Sequence, residues 1–156
     1  MMIKKIFFIF FIFSLINNCG FTPQFSSINN SQIQINLGKY NGDRNLNIIL
    51  NSQLNKYSNN NSSNVKSFNI NYQSQIEKLT ISKDETGSPT EFQLIAKVNF
   101  EIKFNQELQT LTLSEKFNYK NIDDAFDLKN YETTIINNLS NSILNKLILV
   151  LATKFQ

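Results

Sequence analysis

The chain of 156 residues has no histidine, no tryptophan and a single cysteine, Cys19. Without histidine, acid–base catalysis would fall to carboxylates, lysines or tyrosines. One cysteine excludes any disulfide within the chain. Charge of either sign is also scarce in excess: 15 Lys and Arg against 12 Asp and Glu give a formal +3. A nucleic-acid footprint needs a clustered basic excess, so no nucleic-acid partner is expected. No metal-ligand spacing, Gly-rich phosphate loop or nucleophile elbow occurs. Asp123 and Asp124 are adjacent, point different ways and suit a helix start. Asp84 and Glu85 belong to a turn. These absences predict no enzyme, no cofactor and no metal, and leave a binding or assembly role. Asn, Ile, Lys and Phe are used heavily, as an AT-rich genome would dictate, so part of the asparagine content reflects codons.

What is present starts with a short basic segment, residues 1–5, followed by residues 6–16, apolar except for Ser14. A charged start and an apolar run of about 7–15 residues is the pattern of a secretory signal. A membrane-spanning helix needs about 20 apolar residues, and this run stops short. Ile16 stands three residues before Cys19, where a lipoprotein signal carries an aliphatic side chain, although Asn17 and Asn18 replace the usual small residues. We therefore expect residues 1–18 to be removed and Cys19 to be lipidated; an uncleaved anchor helix is the competing reading. Losing Lys4 and Lys5 leaves 13 basic residues against 12 acidic ones. Several acyl chains on one cysteine hold a protein firmly to a membrane, where a single chain does so only marginally. Gly20, in place of the aspartate that retains lipoproteins at the inner membrane of enteric bacteria, favours the outer membrane, on its periplasmic side.

Residues 19–32 read as a polar tether and residues 33–156 as the folded domain, long enough to bury a core without disulfides. Ile33, Ile35 and Leu37 alternate with polar residues, as in a strand. Asn41-Gly42-Asp43 marks a turn, with Asp43 a candidate N-cap. Leu46, Ile49, Leu50, Leu54 and Tyr57 then share a helical face. In the next stretch Phe68, Ile70, Tyr72 and Ile76 have even parity, whereas Leu79 and Ile81 are odd. That switch predicts a β-bulge near Ser74–Lys78. Asp84–Pro89 is a hairpin turn. From Phe92 to Phe104 every second residue is apolar and its neighbours are mostly polar, a strand with one wet face. Asn105-Gln106 is a short turn, and Leu111, Leu113, Phe117 and Tyr119 line the return strand. Asp127 is a candidate cap for a final helix from about Leu128 to Phe155, with a broad apolar face from Ile135 to Leu151. Its nearly all-apolar end, 147–152, reads as buried in the core, with a partner contact as the alternative. The order is β-α-β-β-β-α: an α+β two-layer sandwich, a mainly antiparallel four-stranded sheet with two helices on one face.

The sequence resembles the LptE family of lipopolysaccharide-assembly lipoproteins. Cys19-Gly20-Phe21 is similar to the family's lipidated start. Gly87-Ser88-Pro89-Thr90-Glu91-Phe92-Gln93-Leu94 is similar to its turn and strand opening. Phe117-Asn118-Tyr119, an acidic loop and the amphipathic stretch 128–147 are similar to its C-terminal third. The resemblance implies a plug in the lumen of a large LptD-type outer-membrane β-barrel, a role in assembling that barrel, and delivery of lipopolysaccharide to the cell surface. It also implies basic residues that meet lipid A phosphates, here Lys129 and Lys83, although the turn beside Lys83 is acidic at Asp84-Glu85. The polar residues Gln93, Lys97, Asn99, Glu101 and Lys103 would suit a polar barrel lumen. The alternative is an unrelated lipid-anchored periplasmic binding module.

Overall fold

A computed structural model of the chain describes residues 33–58 and 65–154. The expected signal segment, the tether and Cys19 lie outside the described residues. The elements are β1 (Ile33–Gly42), α1 (Arg44–Leu54), a 3-10 turn (Asn55–Tyr57), β2 (Lys66–Lys83), β3 (Pro89–Phe104), β4 (Glu107–Lys120) and α2 (Ala125–Lys154). The strands lie side by side in chain order in one sheet. β2, β3 and β4 form an antiparallel meander, and β1 pairs with β2 in parallel. The sheet is therefore mixed. A parallel pair needs a crossover of a dozen or more residues, and residues 43–65, which include α1, provide that.

Each element follows from local chemistry. The Asp43 carboxylate accepts from the Leu46 amide at 2.9 Å, so α1 starts at a true N-cap. Leu46, Leu50 and Leu54 recur every fourth residue, form one stripe and are buried. In β2 and β3 every even residue from Phe68 to Ser74 and from Phe92 to Ile102 is buried, and the two runs pair with each other. The helices cover this face. α2 is 30 residues long, and by length and composition alone it is apolar enough to cross a membrane. Its stripe Ile135, Leu139, Ile143, Leu144, Leu147, Ile148 and Leu151 is buried in the core instead. The apolar helix end joins the core as expected, with Leu149 left on its outer side.

Two local expectations are corrected. The cap of α2 is Asp124, whose carboxylate accepts from the amides of Phe126 and Asp127 at 2.9 Å each; Asp127 sits inside the first turn. The register shift in β2 lies at Thr80–Lys83, and pairing runs unbroken through Ser74–Lys78. The parity does not switch, because Lys78 takes the inward position that an apolar residue was expected to hold. Its ammonium lies 4.0 Å from the Phe92 ring centroid and 2.6 Å from the Glu132 carboxylate on α2. A lysine can line a core margin this way, its stem apolar and its head paired. Leu79 consequently points to the outer face, 38% exposed, and Ile81 sits in the irregular stretch, 43% exposed.

The junction between β1 and α1 leaves no room for a side chain at Gly42. Its φ is +106°, and a Cβ there would lie 1.9 Å from the Ser74 carbonyl oxygen. The next amide, Asp43, donates to that same oxygen at 3.2 Å. Replacing Gly42 by alanine is expected to lower stability by at least about 2 kcal/mol, from backbone strain plus displacement of β2. Urea unfolding of Gly42→Ala beside the parent checks this; an unchanged midpoint would refute it.

Candidate functional site: the uncovered sheet face

Both helices pack on the even side of β2 and β3, so the odd side stays open. α1 is tied to the covered side by a polar seam. The Ser74 hydroxyl donates to the Asn47 amide oxygen at 2.7 Å, and the Tyr72 hydroxyl to the Asn51 amide oxygen at 2.6 Å. α2 is tied there by the Lys78–Glu132 and Lys146–Glu115 ion pairs. Tyr119 donates to Glu132 at 2.5 Å and packs edge-on against Tyr131. Among the described residues nothing covers the other face.

The register builds that face as rows across the strands. One row is Asn41, Gln73, Asn99 and Thr112; its neighbours are Asn71, Glu101 and Thr110 on one side and Gln75, Lys97 and Ser114 on the other. The side chains hydrogen-bond across the strands: Thr112 to Asn99 at 2.9 Å, Asn71 to Glu101 at 3.4 Å, Asn36 to Asn69 at 3.2 Å, and Gln93 to Asn118 at 2.6 Å. Amides and hydroxyls dominate, each with donors and acceptors left for a partner. The central rows border a recess of about 640 Å³. Its β1 side is shaped by a bulge at Gly38-Lys39, where two residues face Asn71 alone. The Asn71 side chain satisfies the bulge by accepting from the Lys39 amide at 2.8 Å. A Cβ on Gly38 would come within 2.2 Å of that same oxygen.

The β3 half of this face, Gln93 to Lys103, is as read from the sequence. The β2 contribution was equally legible, since Asn69, Asn71, Gln73 and Gln75 alternate with Phe68, Ile70, Tyr72 and Ser74. The bulge was missed; its signal is the lone glycine inside the β1 pattern. Toward the hairpin the face turns partly apolar, with Leu79 and Ile95 diagonally placed. Lys83 closes β2 and Lys129 lies in the second turn of α2, both exposed. The strand directions bring them to the same end of the sandwich, where Asn121 donates to Thr90 at 2.8 Å. They touch neither each other nor the recess. Beside Lys83, the Asp84 carboxylate is engaged by the Thr86 hydroxyl and by the amides of Ser88 and Thr86. These hydrogen bonds hold its carboxyl below the usual range. The described residues contain no cluster of three metal-ligating side chains.

This site is a broad polar face on an α+β sandwich, a geometry for contact with a surface. The fold is shared with solved structures of bacterial lipoproteins. Rare lipoprotein B of Shewanella oneidensis superposes with a TM-score of 0.53 at 15% identity, covering 78% of this chain and all (100%) of that one. The uncharacterized lipoprotein B of Nitrosomonas europaea gives 0.50 at 14% identity, covering 80% and 87%. No family model and no curated protein sequence matches the chain.

The covered face makes a pH prediction. Burial, then the hydrogen bond and charge of Glu132, push the Tyr119 hydroxyl well above its ordinary value of 10.0. Burial and the neighbouring Tyr40 do the same for Tyr72. The unfolded chain thus loses these protons first, so stability is full below about pH 10 and falls as pH rises above it. Urea midpoints should drop between pH 9.5 and 11.5 (values set by the ~10 of free tyrosine), and Tyr119→Phe should flatten the fall. A midpoint independent of pH across that range would contradict this.

Proposed function

We propose that the chain is an outer-membrane lipoprotein of the LptE kind, held on the periplasmic side by lipid on Cys19. In this reading the uncovered sheet face seats against the inner wall of a large LptD-type β-barrel. The protein helps that barrel assemble and takes part in delivering lipopolysaccharide to the cell surface. One observation carries the reading: a fold common to bacterial lipoproteins presents a wide, amide-rich face with no cover among the described residues. Wide barrels have polar interiors. A plug in such a lumen needs hydrogen-bonding capacity more than apolar area, and a partner wall with bridging waters can satisfy these side chains. The proposal gives the protein no catalytic role and no cofactor. Lys83 and Lys129 share one end of the sandwich, where they would meet lipid phosphates as point charges.

Tagged protein drawn from detergent-solubilised membranes is expected to bring down a large outer-membrane barrel. Gln73→Arg with Asn99→Arg should reduce barrel recovery by about tenfold, because unpaired charge in an interface costs 1–2 kcal/mol or more. If no barrel accompanies the parent protein, the translocon role is wrong and a lipid-anchored binding module takes its place. Intact mass tests the anchor separately: residues 1–18 should be absent and acyl mass present, and both effects should vanish in Cys19→Ala. Lys83→Ala with Lys129→Ala should weaken lipopolysaccharide capture without changing barrel recovery.

A further inference from the structure

Charge is unevenly placed along the length of the sandwich. One end gathers Ile33, the start of β2, the β3–β4 turn and the 3-10 turn, where Gln34 donates to the Ser58 carbonyl at 3.1 Å. α2 heads there too. It runs antiparallel to β4, from Glu132 beside Tyr119 to Lys146 beside Glu115, and closes at Lys154. Lys56, Lys103 and Lys154 are exposed at this end, and among the described residues none of the three has a carboxylate partner. Glu107 is exposed beside them; Glu101, one row further in, accepts from Asn71 at 3.4 Å. Opposite Lys103 on the next strand, Leu108 is 66% exposed. The hairpin end is mixed, with Lys83 and Lys129 among Asp84, Glu85, Asp123 and Asp124.

The basic end is also the end nearest Cys19 along the chain. Fourteen residues lead from Cys19 to Ile33, and even fully extended they span at most about 50 Å. The hairpin end lies farther off than that, since the eighteen residues of β2 run for about 55 Å. Residues 20–32 and 59–64 carry no charge. Attraction between this end and an anionic surface therefore comes from the lysines of the folded domain. Each lysine near such a surface favours contact about fivefold, and Glu107 offsets about one of them, so three lysines give roughly 25-fold.

We propose that the Ile33 end of the sandwich docks on the anionic phospholipid headgroups of the membrane that holds the lipid on Cys19. Lys56, Lys103 and Lys154 meet the headgroup phosphates, and Leu108 enters the headgroup boundary beside Lys103. Lysine suits this role, because its compact, strongly hydrated ammonium pairs with phosphate without a fixed geometry. The acyl chains supply the attachment. The lysines then need only orient a domain already held at the surface, where a weak contact acts at high effective concentration. The proposal rests on the lipid-anchor reading and adds the orientation of the domain to it. It is compatible with the barrel seat, because the polar face is a flank of the sandwich and a wall against a flank leaves the end uncovered.

The test uses the mature lipidated protein, purified from membranes and reconstituted in phosphatidylcholine vesicles with or without about 30 mol% phosphatidylglycerol. The lipid blocks Cys19, so a dye reacts only with an introduced thiol, Gln106→Cys at the Ile33 end or Ser88→Cys at the hairpin end. Both positions are exposed. Energy transfer to acceptor-labelled headgroups reads the distance of each end from the surface. Phosphatidylglycerol should raise transfer from Gln106→Cys about twofold or more and should not raise it from Ser88→Cys. Lys56→Gln, Lys103→Gln and Lys154→Gln together should abolish the gain, with unchanged circular dichroism. Salt at ~1 M, where the Debye length is about 3 Å, should do the same to the parent. Transfer from Gln106→Cys that ignores phosphatidylglycerol, an equal gain at both ends, or a gain that survives the substitutions or the salt overturns the proposal and leaves the anchor standing. Protein without acyl mass overturns the anchor reading, and this proposal with it.

Discussion

The pairing of β2 with β3 is the constraint on which the rest of the structure depends. It aligns Phe68, Ile70 and Tyr72 with Phe104, Ile102 and Phe100, so one unbroken apolar floor forms on one side. Burying that floor is the main driving force, at roughly 25 cal/mol per Å² of apolar surface. Because side chains alternate, the same pairing commits every odd residue to the opposite side. The polar face and the core are thus two results of one register. A slip by one residue would put Asn71 and Gln73 inside and Phe68 and Ile70 in water.

Most of this order is readable from residue alternation. The β3 pattern, the Asp43 cap, the hairpin turns and the α2 stripe all rest on short-range chemistry, and the structure agrees with each. The misreadings have separate physical sources. Near the end of β2 the inward side chain is Lys78, and its partners Phe92 and Glu132 are distant in sequence. Hydrophobicity alone gives inward places to Leu79, which points outward, and to Ile81, which falls at the register shift. The choice between Asp124 and Asp127 as cap turned on three residues, within the usual uncertainty of helix ends. The parallel pairing of β1 was hidden as well, since it depends on how α1 returns the chain and not on any residue of β1.

The candidate site shows the same division. Its polar rows are visible as alternation, but their breadth appears only when three registers are laid side by side. The two lysines singled out for phosphate contact reach the same end of the sandwich because β2 ends where α2 begins. Neither borders the recess, so the polar face and the two lysines are separate regions of the molecule. The bulge at Gly38-Lys39 gives the face its rim and relies on a single asparagine, Asn71, to satisfy the backbone it disturbs.

The parallel pairing of β1 also has a mechanical meaning. Among the described residues, β1 is an edge strand that begins at Ile33. A pull on that point along the strand axis loads the β1–β2 hydrogen bonds together, in shear. A pull across the sheet opens them one at a time, as in a zipper. Past Gly42 the load passes to α1, which is clamped to β2 by the Asn47–Ser74 and Asn51–Tyr72 hydrogen bonds. The domain's resistance to force at its N-terminal end therefore depends on direction, and it is greatest when the load runs parallel to the strands.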